Sequence, residues 1–173
     1  MIEPVRYLFE RLVSFNVGND RLIFENVAID VKPGKRTLYR IDETRLGGLP
    51  PFADQLGTFL PELIEMRPFA DRMIEEEVEC ITFDQLIEKH NVKKVDLLAI
   101  DVEGMDYAIL RTFPFDKMKP QRIIYEVKHL SQDDKQASLL FIQERGYTEI
   151  SEIKGDIFAT LGTTKTSNAA RLL

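Results

Sequence analysis

The sequence predicts an α/β domain whose sheet is parallel at its centre and antiparallel at its C-terminal edge. Three observations lead there. Short apolar runs alternate with stretches of helical periodicity, the pattern of β–α–β units. Val95 to Ile100 is a nearly continuous apolar run, as expected of a strand covered on both faces. Two strand-like segments around Lys154-Gly155 close the chain as a hairpin.

The elements follow in order. Val5, Leu8, Phe9, Leu12 and Val13 fall on one stripe of a helix over 4–13, with Pro4 at its first position, where a missing N–H is no loss. "RLIFENVAIDV" is rich in branched apolar residues and reads as a strand. "KPGK" places Pro33 and Gly34 for a type II turn, and "RTLYRI" returns as an adjacent strand. Residues 42–77 read as an insertion punctuated by glycine and proline, with a helix from about 61 to 76 that Pro68 would kink. Such a segment suits a lid or binding loop as well as a surface insertion without a role. "VECI" is a short strand. "TFDQLIEKH" is a helix whose Thr82 and Gln85 form a capping box. A helix over 104–113 follows the Val95–Ile100 strand, "RIIYEV" is another buried strand, and Ser131 caps a helix ending at Gly146. Residues 1–162 thus form one domain, and 163–173 a loose tail.

Bulk properties narrow the function. The chain has 173 residues, 44% hydrophobic and 30% charged, with a net charge of −6. No segment gathers Lys and Arg, which argues against nucleic acid as a partner. No apolar run nears the roughly 20 residues needed to cross a bilayer, so no membrane partner is expected. Glu3 and Glu10 interrupt the N-terminal apolar residues, unlike a signal peptide. The single cysteine, Cys80, excludes an internal disulfide and suits a reducing compartment; the expected location is cytoplasmic.

Right-handed crossovers put strand C-termini on one rim, where ligands sit in such folds. Asp101, Glu103 and Glu126 fall at or just past strand ends on that rim. Gly104 allows a tight turn into the next helix, and Glu103 and Asp106 flank that helix start, where negative charge is favoured in any case. Asp101, Glu103 and Asp106 offer oxygen ligands to Mg²⁺ or Ca²⁺, but neither EF-hand spacing nor a zinc pattern is present, and no metal site is expected. His129, in the loop after Glu126, can serve as a general base or merely hydrogen-bond within that loop. Glu3 reads first as a helix cap. His90 suits a helix C-terminus, and Cys80 a packed strand.

The ordered set "IEP", "FENVAI", "TFDQL", "DLLAIDVEG", "IIYEVKHL" and a late "GY…D" resembles the FkbM family of S-adenosylmethionine-dependent methyltransferases, over residues 2–159. The resemblance implies a Rossmann-like methyltransferase sheet with S-adenosylmethionine as cofactor. It implies that Glu3 holds the cofactor ribose, that Ala28 to Asp30 lie near the adenine, and that Asp101, with Glu103, faces the methionine end or the acceptor. Glu126 and His129 would lie near the substrate, a hydroxyl on a sugar or another small molecule. His129 is the first candidate to take the hydroxyl proton and Asp101 the second. Against that family pattern the first strand, its glycine loop and most of the second strand are missing, so tight cofactor binding by this chain alone is not expected. Two other readings stand beside it. One is a non-catalytic α/β association module, pairing as a homo-oligomer through exposed sheet edges. The other is a Mg²⁺-dependent hydrolase using Asp101 and Glu103.

Overall fold

A computed structural model describes residues 1–60, 62–63 and 68–162. The elements are helix α1 (Arg6–Phe15), strands β1 (Ala28–Ile29), β2 (Gly34–Ile41), β3 (Gly57–Thr58) and β4 (Met73–Ile81), helix α2 (Phe83–Lys89), strand β5 (Leu97–Ile100), helix α3 (Asp106–Leu110), strand β6 (Arg122–Glu126), helix α4 (Gln132–Glu144), and strands β7 (Tyr147–Ile153) and β8 (Asp156–Leu161).

Local signals placed several of these. The Thr82 side chain accepts from Gln85 N at 3.2 Å while Gln85 Oε1 accepts from Thr82 N at 3.0 Å, closing the expected capping box of α2. Ser131 Oγ accepts from Asp134 N at 3.0 Å at the start of α4. The β7–β8 turn has φ +56° at Lys154 and +95° at Gly155, the two positive values a two-residue hairpin turn of the I′ kind requires.

The strands form two four-stranded sheets, β1-β4-β2-β3 and β5-β6-β8-β7, and not one continuous sheet. Among the described strands, β1–β4 and β5–β6 are parallel pairs and the rest antiparallel; outside them Ile2 and Glu25 make an isolated parallel bridge. The first sheet departs most from the sequence reading. β2 does not pair with β1. It pairs with β4 over Gly34↔Cys80 to Ile41↔Met73, and β4 lies between the two. Residues 73–76, expected to be helical, are the first half of β4; residues 61 and 64–67 of that expected helix lie outside the described residues. The backbone ladder to β2 holds this half extended, and cross-strand charge adds to it. Lys35 meets Glu77 at 2.6 Å, and Arg40 is ion-paired with Glu76, so cations on β2 help to keep extended an acid run that favours helix locally. The strand expected over 21–31 shrinks to Ala28–Ile29. Glu25 instead pairs with the N-terminus, donating to Met1 O and accepting from Glu3 N, both at 3.0 Å.

The main core joins β5, β6, β8, α3 and α4 through Leu98, Ile100, Leu110, Ile123, Tyr125, Ile142 and Ile157. Edge-to-face contacts chain Phe83, Phe113, Phe115 and Tyr147. β5 is covered on one face only: Leu98 and Ile100 are buried, whereas Leu97 is 51% exposed. Leu97 and Ala99 line a cavity of about 1000 Å³ whose other walls come from α1, β1, α2 and the insertion. The helix expected over 104–113 is confined to Asp106–Leu110. The tail at 163–173 lies outside the described residues. Among the described residues, no helix is long and apolar enough to cross a membrane.

Candidate functional site

The site starts from the parallel pairing of β5 with β6. Their register runs from Leu97↔Arg122 to Ile100↔Tyr125, so Asp101 and Glu126 leave neighbouring strands side by side on one rim. After Asp101 the chain reverses at Glu103 (φ +51°) and Gly104 (φ +101°) before entering α3. A left-handed glutamate is an uncommon conformation held only by its surroundings. Here the hold comes from the insertion, where Thr58 Oγ1 donates to Glu103 O at 3.0 Å. Gly104 is required on two counts. Its φ is positive, and a Cβ there would stand 2.7 Å from Leu63 Cδ1 and 3.2 Å from Leu60 Cδ1.

Asp106 fixes the geometry. Its carboxylate is buried and accepts from Gly104 N at 3.2 Å and from Glu126 N at 3.3 Å. One side chain thereby ties the β5 turn to the end of β6. The sequence suggested a helix-start acid or an oxygen ligand; a buried clamp to another strand is invisible in local spacing.

Acids crowd this rim. Glu126 pairs across the ladder with Asp156 of β8, adding one more carboxylate. Burial, followed by the charges of Asp101, Glu103 and Asp106, pushes Glu126 up to about 7. Burial also raises Asp106, to about 6, and raises Asp101, with Glu103 and Asp156 adding to the effect on Asp101. His129 brings the imidazole expected of it: Nε2 lies 3.4 Å from Glu103 Oε2 and 3.8 Å from Glu126 Oε2. Glu126 Oε2 itself is buried with no hydrogen-bond partner among the described residues.

The cavity connects these residues to the N-terminal ones. Glu3, Ala28, Asp101 and Glu103 all line it. Its volume sits at the upper end of small-molecule sites, roughly 300–1,000 Å³. Glu3 Oε1 accepts from Val5 N at 2.8 Å, but Val5 is the N-cap of α1 and no side chain caps the helix, so Glu3 is not the cap expected of it; burial raises its carboxyl above the usual range. Asp30 is not among the lining residues. Its buried carboxylate accepts from Arg36 Nη1 at 2.8 Å and from Val31 N at 2.7 Å. The structure therefore brings Glu3, Ala28, Asp101 and Glu103 to the cavity, gathers Glu126 and His129 on its acidic rim, and leaves Asp30 engaged elsewhere. His90 contacts Glu25 at 2.6 Å, and Cys80 is a packed strand residue.

Two contributors escaped the sequence reading. Thr58 and Phe59 of the insertion line the cavity beside Asp101 and Glu103, so this part of 42–77 belongs to its wall. Nothing local in "GTF" marks it.

Comparison with known proteins fits this architecture. No curated protein and no solved structure matches the chain. A family model for the methyltransferase FkbM domain matches residues 1–149, most of the chain's length. On that match the chain belongs to the FkbM methyltransferase domain family.

Proposed function

We propose that this protein is an S-adenosylmethionine-dependent methyltransferase acting on the hydroxyl of a sugar or another small molecule. The observation that carries the reading is the joining of an apolar cavity to an acidic rim at the C-terminal ends of a parallel strand pair. The residues fit the cofactor on charge and shape. Its sulfonium and ammonium groups are cationic, and the exposed Asp101, beside the partly buried Glu103 on the cavity wall, offers a carboxylate to them. Ala28 and Phe59 offer apolar surface for the adenine, and Glu3 lies on the same cavity wall, where its carboxylate can meet ribose hydroxyls.

When bound, S-adenosylmethionine supplies an already activated methyl group. The work of the protein is therefore to align, to exclude water and to take one proton. The Glu103–Gly104 turn and the Asp106 clamp fix the angle between Asp101 and Glu126. His129 and Asp101 are the two groups placed to accept the hydroxyl proton, and the raised carboxyl of Asp101 makes it a better base than an ordinary aspartate. In its fold this reading corresponds to a Rossmann-like sheet whose C-terminal half is β5-β6-β8-β7.

Isothermal calorimetry with S-adenosylmethionine tests it. Saturable but weak binding is expected of this chain, weakened further by at least about tenfold (about 1.4 kcal/mol) in Asp101→Asn. Transfer of labelled methyl to hydroxyl acceptors should be lost in the same variant. A well-folded protein that releases no heat with the cofactor refutes the proposal.

A further inference from the structure

Glu103 comes from the turn after β5 and Glu126 and His129 from the end of β6 and the loop three residues on, and their ligating atoms all lie within 4.8 Å of one another. Two of the separations, 3.4 and 3.8 Å, run from the imidazole Nε2 to one oxygen of each glutamate. Donor atoms bound about 2.1 Å from one ion stand roughly 3.0–3.4 Å apart, so small side-chain movements close the set. Two further features single out these residues from an ordinary surface group of acids. Glu126 Oε2 is buried without a hydrogen-bond partner among the described residues, facing His129. Glu103 is held with φ +51°, a backbone conformation uncommon outside glycine, which turns its side chain onto the same rim.

We infer that Glu103, Glu126 and His129 form a binding site for one divalent first-row transition cation. The donor set decides the class. An imidazole with two carboxylates suits Mn²⁺, Fe²⁺ or Zn²⁺, whereas Mg²⁺ and Ca²⁺ take oxygen ligands. Three protein ligands on an open rim leave positions for an oxygen of a substrate, as catalytic sites do. The site stands on its own geometry; only its role rests on the proposed methyl transfer. With Nε2 and the two glutamates engaged by the cation, His129 no longer takes the hydroxyl proton, and Asp101 is the rim acid left to face the cofactor's cationic groups. The O–H bond of a coordinated acceptor then breaks toward Asp101, whose carboxylate receives the proton.

The test uses the metal alone. Mn²⁺ is titrated into the full chain at pH 7.5 and free Mn²⁺ is read by electron paramagnetic resonance, with Zn²⁺ as competitor. One Mn²⁺ per chain is expected, displaced by Zn²⁺ and not by equimolar Mg²⁺. Glu126→Gln and His129→Gln should each weaken it at least about tenfold. Glu79→Gln, an exposed acid on β4, should leave it unchanged. Circular dichroism shows that each variant is folded. Absence of saturable binding, equal displacement by Mg²⁺, or binding indifferent to the two ligand variants overturns the site. A chain that binds Mn²⁺ but not S-adenosylmethionine refutes the methyltransferase reading alone, and the reverse result refutes the cation site alone.

Discussion

Replacing Arg36 with methionine is expected to destabilise the protein by about 2–3 kcal/mol, and the structure says why. The Asp30 carboxylate is 3% exposed, and Arg36 Nη1, at 2.8 Å, is its charged partner; it also accepts from the Val31 N–H at 2.7 Å. The guanidinium also lies 4.1 Å from the centroid of the Phe59 ring and touches Met105 Sδ, so it joins β2 to two walls of the cavity. Charge centres about 4 Å apart interact by about 4 kcal/mol at an effective dielectric near 20. Breaking a fully buried pair costs about 3–5 kcal/mol, because the remaining charge stays out of water. The Arg36 side chain is 34% exposed, so water partly replaces it and the cost falls below that range. Methionine keeps an apolar stem over Phe59, which isolates the charge effect. Asp30→Asn keeps an oxygen for Val31 N and removes the charge, so Asp30→Asn/Arg36→Met should recover most of the loss. Urea unfolding at pH 7 followed by circular dichroism gives the double-mutant cycle, with an expected coupling of about 2 kcal/mol. In thermal scans the single variant should lose about 5–10 °C. A loss under about 0.5 kcal/mol for Arg36→Met, or strict additivity in the double variant, would show that the pair does not hold the cavity wall.

Three further outcomes follow from individual contacts. Gly104→Ala should cost about 1–3 kcal/mol from its positive φ and its contact with Leu63, and should weaken cofactor binding more than stability, because it displaces Glu103; unfolding and calorimetry on one sample separate the two. Tyr147→Phe removes a buried hydrogen bond from the hydroxyl to Pro120 O at 2.7 Å and should lower stability by about 1–2 kcal/mol in urea. Glu25 is held below the usual carboxylate range first by its hydrogen bond to Lys89, and also by His90. A depressed carboxyl stabilises the fold above its unfolded value near 4.5, and that stabilisation disappears as pH falls through the folded value. Glu25→Gln should therefore lower the Tm at pH 7 and flatten its fall between about pH 5 and 2; an unchanged acid limb would contradict the pairing.

What the sequence determined by itself was whatever a few neighbouring residues decide. Thr82 and Gln85 close their box within one turn, Ser131 caps α4, and Lys154-Gly155 makes a hairpin turn because the residues concerned are adjacent and their geometry is local. The strand ends at Asp101 and Glu126 were legible for a related reason: apolar runs mark core strands and the first acid after such a run marks the rim, although β5 buries one face and not the two expected. Tertiary structure alone decided the rest. Residues 73–76 join β4 because they pair along β2, with Arg40 ion-paired to Glu76, overriding a local preference for helix. The division into two sheets, the exposed face of β5 and the wall made by Thr58 and Phe59 depend on which distant segments fill the space beside them. Asp106 reaches a strand twenty residues away, and Glu103, Glu126 and His129 converge from a turn, a strand end and a loop. Such convergence is set by packing and by the electrostatics of a half-buried rim, neither of which is written into spacing along the chain.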